Sequence, residues 1–374
     1  MATRLPWDEV KIQARNSRER TRPGPICFIE QRSRVPGHQP QSAPVRIEGL
    51  AARCETASMR ITALAGGVGG ARFLRGLLAA VPDADITVIG NTGDDFTPFG
   101  LHVCPDLDTV MYTLGGGISE EQGWGRADET RAVLGELAAY GAGPGWFGLG
   151  DLDIATHILR NQMLADGSTL SEVTRRLCER WQPGVTLLPM SDDPVRTHVT
   201  VELDGLEQQL HFQEWWVRLH AAVPARSIVP VGAAQATPAP GVLDAIADAD
   251  FVLLPPSNPV VSVGIILAVP GIEEAVRSQT VVGVSPIIGG APVRGMADAC
   301  LAAIGVQTSA VAVAAHYGAG LLDGWLVDDQ DKDAVGSPEL AGIEVRNRPL
   351  YMTNVATSAE IARAAVDLAL EVRR

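Results

Sequence analysis

Four shortages in this chain each remove a class of answer. Cysteine is sparse: Cys27, Cys54, Cys104, Cys178 and Cys300 are five, an odd number, and none forms a C-x-x-C pair. That argues against a disulfide framework or a cysteine-rich zinc cluster and fits a reducing cytoplasm. Long apolar runs are missing: no stretch reaches the length of a membrane span, and the longest candidate, residues 260–272, is broken by Ser262 and Pro270. Positive charge is in deficit, with a net charge of −14. A general nucleic-acid surface needs clustered Lys and Arg, so any nucleotide must be gripped locally. Finally, the first residues contain no apolar core of the kind a secretory signal requires.

What is present describes an enzyme-like globule. The 374 residues suffice for one large or two medium domains, and 46% are hydrophobic against 20% charged. Gly 39 and Pro 25 imply many tight loops.

The most informative stretch runs from Arg60 to Asp108. Ile61-Thr62-Ala63-Leu64-Ala65 reads as a short buried strand, and Gly66-Gly67-Val68-Gly69-Gly70 as a glycine loop. A helix pattern follows, with Phe73, Leu74, Leu77 and Leu78 on one face. Strand, glycine turn and helix present backbone N–H groups and a positive helix end to a phosphate. A second strand, Ile86 to Ile89, ends in Asn91-Thr92-Gly93-Asp94-Asp95, and Cys104-Pro105-Asp106-Leu107-Asp108 opens another helix. Carboxylates beside a polyphosphate repel it unless a divalent cation intervenes, so Mg²⁺ is expected here. Two readings stand for Asp106: a metal ligand, or a helix-capping acid. The dinucleotide fingerprint fails, because Arg72 stands at its third glycine position and Asn91 ends the second strand where an acid would hold a ribose. An NAD-dependent oxidoreductase is thereby disfavoured.

Along the rest of the chain, residues 1–58 carry ten Lys/Arg against six Asp/Glu and show no sustained period. They read as disordered or as sequence upstream of the native start, with Met59 as the initiator. Helices are expected at Asp128 to Tyr140, Asp153 to Leu164 and Ser171 to Trp181. Strands are expected at Val185 to Leu188, Thr197 to Leu203 and Leu206 to Phe212, the last two joined by the hairpin signal Asp204-Gly205. The pair Trp215-Trp216 fits either a domain core or a face for a flat ring. Arg126, after Gly123-Trp124-Gly125, fits either an anion clamp or an ordinary surface arginine. A doubly wound pattern returns with a helix at Val242 to Ile246 and strands at Phe251 to Leu254, Val281 to Ser285 and Val311 to Ala314, after which Trp325-Leu326-Val327-Asp328 follows. A terminal helix spans Ser358 to Val372. The fold class expected is α/β, a Rossmann-like, mostly parallel sheet between helical layers. Residues 59–118 and 232–374 form its core, and 119–231 a smaller inserted α/β domain.

These residues together resemble the 2-phospho-L-lactate transferase family, and within it the actinobacterial, phosphoenolpyruvate-transferring branch. The likeness rests on the opening from Met59 to Phe73, the Asn91–Asp95 loop and the stretch from Cys104 to Leu114. It continues in Pro189–Val195, His211–Arg218, Pro256–Ser262, Arg294–Asp298 and Leu322–Val327. It spans residues 59–374, and residues 1–58 have no counterpart in it. The resemblance implies transfer of a phospho-acid from a guanosine-diphosphate-activated three-carbon acid, enolpyruvyl or lactyl, to the ribityl hydroxyl of the deazaflavin precursor Fo. GMP leaves, on the route to coenzyme F-420. It implies a Mg²⁺-dependent, cytoplasmic homodimer acting on neither nucleic acid nor membrane. By resemblance, Gly66, Gly67, Val68, Gly69 and Gly70 cradle the diphosphate, with Ser257, Asn258, Ser285 and Arg294 on the nucleotide side. Asp94, Asp106 and Asp108 hold the metal. Asp94, Asp95 and Arg126 are the catalytic residues: Asp95 contacts or deprotonates the Fo hydroxyl and Arg126 meets Fo or the donor's carboxylate, with Ser191, Asp192 and Trp215 on the Fo side. The competing reading is a non-enzymatic regulator of the same superfamily that binds nucleotide-sugars.

Overall fold

The computed structural model describes residues 58–373. The expectations placed on residues 1–57, disorder or a non-native extension, lie outside the described residues. Seven strands form an entirely parallel sheet: β1 (Arg60–Ala65), β2 (Asp85–Gly90), β3 (Thr186–Pro189), β7 (Phe251–Leu254), β8 (Val281–Val284), β11 (Gly324–Val327) and β12 (Glu344–Asn347). Their spatial order is β12-β11-β8-β7-β1-β2-β3. The chain thus winds outward from β1 in one direction, then returns beside it at β7 and winds outward in the other. The crevice at the carboxyl ends of β1 and β7 is the switch point where ligands of such sheets bind.

The inner strands are near-continuous apolar runs because both faces are covered, whereas the edge strand β12 buries only Val345. In β1, Ile61, Ala63 and Ala65 point into one core, and Leu64 into the opposite one. The first core lies beneath α1 (Gly67–Ala80), α2 (Pro105–Leu114), α5 (Leu170–Trp181) and the C-terminal helix Val355–Glu371. The second lies beneath the helical segments that follow residue 241 and takes in Val252, Leu254, Val281 and Trp325. This is the expected α/β class, with helices on both faces.

A separate antiparallel sheet, in the order β5-β4-β6, comprises β4 (Arg196–Leu203), β5 (Leu206–His211) and β6 (Ala225–Val231). Its β4–β5 hairpin turns at Asp204 and Gly205, both with positive φ, as a two-residue turn of this hand requires. The last strand pair is β9 (Ile287–Ile288) with β10 (Ala291–Pro292). The span 119–231, expected as an insertion, contains α3 (Ala132–Ala139), α4 (Asp151–Ala165), α5 and this small sheet, but also β3, which edges the main sheet.

Three local expectations change. Gly67–Gly70 is the first turn of α1 rather than a loop before it. Val311 to Ala314 lies within a helix, Ala310–Tyr317, capped by the Ser309 hydroxyl accepting from the Ala312 amide. The helix expected at Asp128 starts only at Ala132, because Asp128 has φ +56. Among the described residues, no helix is long and apolar enough to cross a membrane.

Candidate active site

The carboxyl ends of β1, β2 and β7 converge on α1 and α2. Gly66 closes β1 and precedes α1; a β-carbon there would overlap Asp106 Oδ2, and one on Gly69 would stand 2.5 Å from the Pro256 carbonyl. The glycines are therefore needed for close approach by neighbouring protein groups as well as for exposing backbone N–H groups. Gly67 adds a φ of +66. Ser257 fastens the two sides of the switch point together: its Oγ accepts from Gly66 N at 3.2 Å and donates to Gly66 O at 2.9 Å.

Four carboxylates are buried here: Asp94, Asp95, Asp106 and Asp108. Asn91 Nδ2 donates to Asp106 Oδ2 at 2.9 Å and to the Val261 carbonyl at 3.1 Å. Burial is the main reason the Asp106 carboxyl rises to about 6, against the hydrogen bonds from Asn91 and the Gly67 backbone. Burial, then the charges of Asp106 and Asp95, hold Asp94 well above the ordinary carboxylate range. Asp94 Oδ1 and Asp95 Oδ1 are buried without a hydrogen-bond partner. Neighbouring buried acids whose carboxyls are both raised, one of them with an orphaned oxygen, fit a divalent cation. Asp94 and Asp106 meet that test.

Asp108 is held differently. Arg160, on α4, donates through Nη2 to Asp108 Oδ1 and through Nη1 to His157 Nδ1 at 2.9 Å. Burial works against the Arg160 charge, but the Asp108 carboxylate outweighs it and keeps the guanidinium protonated. Tyr112 closes this network by donating to Asp153 Oδ1 at 2.7 Å. Asp108 is thus paired with Arg160 through Oδ1, while its Oδ2 is buried without a hydrogen-bond partner.

On the acceptor side, Asp95 Oδ2 meets His102 Nε2 at 3.1 Å. Thr92, Asp95, His102, Asp192 and Arg196 line a cavity of about 80 Å³. Asp192 also accepts from the Ser171 amide at 2.7 Å. Ser191 is fully buried, its Oγ donating to the Thr237 carbonyl at 2.6 Å and accepting from Asp193 N, so it shapes the turn rather than facing the cavity. Trp215 is also fully buried, with Nε1 donating to the Val223 carbonyl at 2.8 Å. Its core reading holds, and its assignment as an Fo contact is corrected. Arg126 lies 5.0 Å over the Trp181 ring and donates to the Leu152 carbonyl at 2.8 Å, so its contacts are with α4 and α5 rather than with the aspartates.

The remaining expected residues sit at strand ends. Asn258 accepts from the amides of Val260 and Val261, and Ser285 makes a tight turn with Ile287. Arg294 is exposed and reaches the Gln122 carbonyl; partial burial, then the nearby Arg72 charge, lower its affinity for its proton. His102, Arg160 and Arg196 were not singled out from the sequence, and Asn91 and Cys104 were not read there as site residues. Of these, only the spacing of His102 and Cys104 carried a local signal, since residues two apart in extended chain share a face.

The model of the family described as "2-phospho-L-lactate transferase CofD" matches residues 61–346. The phosphoenolpyruvate transferase of Streptomyces griseus is 68% identical over 317 residues, covering 84% of this chain and 100% of that protein. That of Thermobifida fusca is 67% identical over 323 residues, covering 84% and 99%. That of a Mycobacterium species is 54% identical over 332 residues, covering 83% and 99%. A solved protein from Bacillus halodurans shares the fold at a TM-score of 0.55 and 18% identity, covering 83% of this chain and 99% of that one.

Proposed function

The chain belongs to the 2-phospho-L-lactate transferase CofD family, and from that premise we propose that it moves the phosphoenolpyruvyl group of enolpyruvyl-diphospho-5′-guanosine onto the ribityl hydroxyl of Fo. The products are GMP and the dehydro form of the first F-420 intermediate. The enolpyruvyl donor is preferred over the lactyl one because the relatives above carry the name phosphoenolpyruvate transferase. The observation that carries the reading is the pair of buried acids Asp94 and Asp106, both raised chiefly by burial, at the switch point beside the N-terminus of α1.

In this reading the acceptor oxygen attacks the phosphorus that bears the enolpyruvyl group. The bond from that phosphorus to the oxygen of GMP breaks, and GMP leaves with the electron pair. Phosphoryl transfer of this kind depends on positioning and charge neutralisation more than on covalent help from the protein. Asp94 and Asp106 would hold Mg²⁺, which when bound supplies charge neutralisation for the departing phosphate. Asp95 Oδ1, buried and without a partner, takes the proton of the acceptor hydroxyl. The α1 N-terminus offers its backbone amides to the diphosphate, and Arg72 and Arg294 offer their neighbouring charges, which an anion between them would relieve.

A homodimer is part of the proposal. Helix α3 buries none of its own residues, and Val133 and Tyr140 beside Leu152, Ile158 and Leu159 of α4 are exposed. The test of function is direct. Purified protein is given Fo, Mg²⁺ and each synthetic donor in turn, and the product is weighed by mass spectrometry. The enolpyruvyl phosphodiester is expected with equimolar GMP. Absence of any phosphodiester with either donor would end the proposal.

A further inference from the structure

We propose that Asp95, His102 and Cys104 form a second metal site, one for a borderline-soft ion such as Zn²⁺, alongside the all-oxygen site of Asp94 and Asp106. The backbone builds it. Phe96 and Val103 form an antiparallel bridge, with Phe96 N donating to Val103 O at 3.2 Å and Val103 N to Phe96 O at 2.9 Å. Residues next to a bridged pair alternate away from it, so His102 and Cys104, flanking Val103, share a face with Asp95, flanking Phe96. Arg160 Nη1 donates to the His102 carbonyl at 3.2 Å and fixes that segment from behind.

One ligand atom from each of the three side chains lies within 4.8 Å of the others, the only such group of three among the described residues. Around a tetrahedral ion with bonds of about 2.0–2.3 Å, ligand atoms stand roughly 3.3–3.7 Å apart. The Asp95–His102 pair, at 3.1 Å, is already near that spacing, and the sulfur must close by about 1 Å at most.

Asp95 is 1% exposed and its Oδ1 has no hydrogen-bond partner, so one buried oxygen is unused. The cavity that Asp95 and His102 line supplies an entrance and an open fourth position. Charge balance suits burial. On binding, Cys104 releases its proton to solvent, and thiolate plus carboxylate neutralise the dication while His102 binds as the neutral imidazole. Thiolate and imidazole select Zn²⁺ or Co²⁺ over Mg²⁺, which demands oxygen. One consequence rests on the function proposed above: an ion on Asp95 withholds the group that takes the acceptor proton, so Zn²⁺ inhibits the Mg²⁺-dependent reaction.

The test uses full-length protein stripped with EDTA and titrated with Co²⁺ in excess Mg²⁺. One equivalent is expected to bind with a near-ultraviolet thiolate-to-cobalt absorption, which Zn²⁺ then bleaches. Cys104→Ser is expected to lose that band while keeping its thermal stability and Mg²⁺-dependent turnover, now insensitive to Zn²⁺. His102→Ala, a partly exposed position, is expected to weaken binding by more than about tenfold. A missing band in the wild-type protein, or a band that survives in Cys104→Ser, overturns the site. Stoichiometric binding without inhibition supports the site and instead overturns the role given to Asp95.

Discussion

In metal-free protein the contribution of Asp106 to stability is expected to fall as pH rises from 4 to 7.5. Its carboxyl titrates near 6 in the folded chain against 3.8 for the free group. Between those values the folded state holds a proton that the unfolded state has released. The stability from this group is therefore fully present below 3.8 and lost as pH rises through about 6. At about 1.4 kcal/mol per pH unit, the gap corresponds to about 3 kcal/mol. Asp106 is almost fully buried, so solvent screening does not reduce the figure much. Asp94 works in the same direction, because burial first, and then the Asp106 and Asp95 charges, raise its carboxyl well above the ordinary range. Mg²⁺ favours the ionised pair and should return a similar amount at pH 7.5, about 2.7 kcal/mol at one hundred times its dissociation constant. The assay is urea unfolding of wild type and Asp106→Asn across this range, in EDTA and in Mg²⁺. Asn keeps an acceptor for the Asn91 amide, and every other titrating group outside the Asp94 cluster is common to both proteins, so their difference isolates the effect. If the difference in EDTA stays flat with pH, or Mg²⁺ stabilises Asp106→Asn as much as wild type, the reasoning about this acid pair fails.

Three further outcomes are expected. Asp94→Ala should abolish Mg²⁺-dependent turnover while circular dichroism stays native, because Asp94 lies in a loop between β2 and α2; turnover at the wild-type rate would remove Asp94 from the metal site. Arg160→Met should cost about 3–5 kcal/mol in urea unfolding, since it strands the buried Asp108 carboxylate, and Asp108→Asn in the same chain should recover part of it. Trp215→Ala should destabilise the fold by about 3–5 kcal/mol, as loss of a fully buried indole does. A purely local loss of Fo affinity at unchanged stability would restore it to the acceptor site.

Most of the parallel sheet could be read from the chain because its strands are short apolar runs covered on both faces, whereas the edge strand β12, Glu-Val-Arg-Asn, offers no such run and was not expected. The same rule misread Val311 to Ala314. Ala-Val-Ala-Val alternates like a strand, but in alanine-rich sequence a period of two is weak evidence, and the decisive cue was Ser309 at a capping position. The convergence of His102, Cys104 and Asp95 could not be read locally, because it depends on a bridge between Phe96 and Val103 that closes a loop.

The acid pair of α2 shows where the sequence held more than was taken from it. Once Pro105 is placed at the first helical position, Asp106 and Asp108 stand two residues apart on an α-helix, about 200° around its axis. Their side chains leave that turn in different directions. Asp106 points back at Gly66 and Asn91, and Asp108 points at Arg160 on α4. Helix geometry thus sends one acid to the end of β1 and the other to a buried arginine. The second acid is then a brace: by anchoring α4 to the start of α2 it fixes the turn that presents Asp106, and through the Arg160 contact with the His102 carbonyl it steadies the segment opposite Asp95.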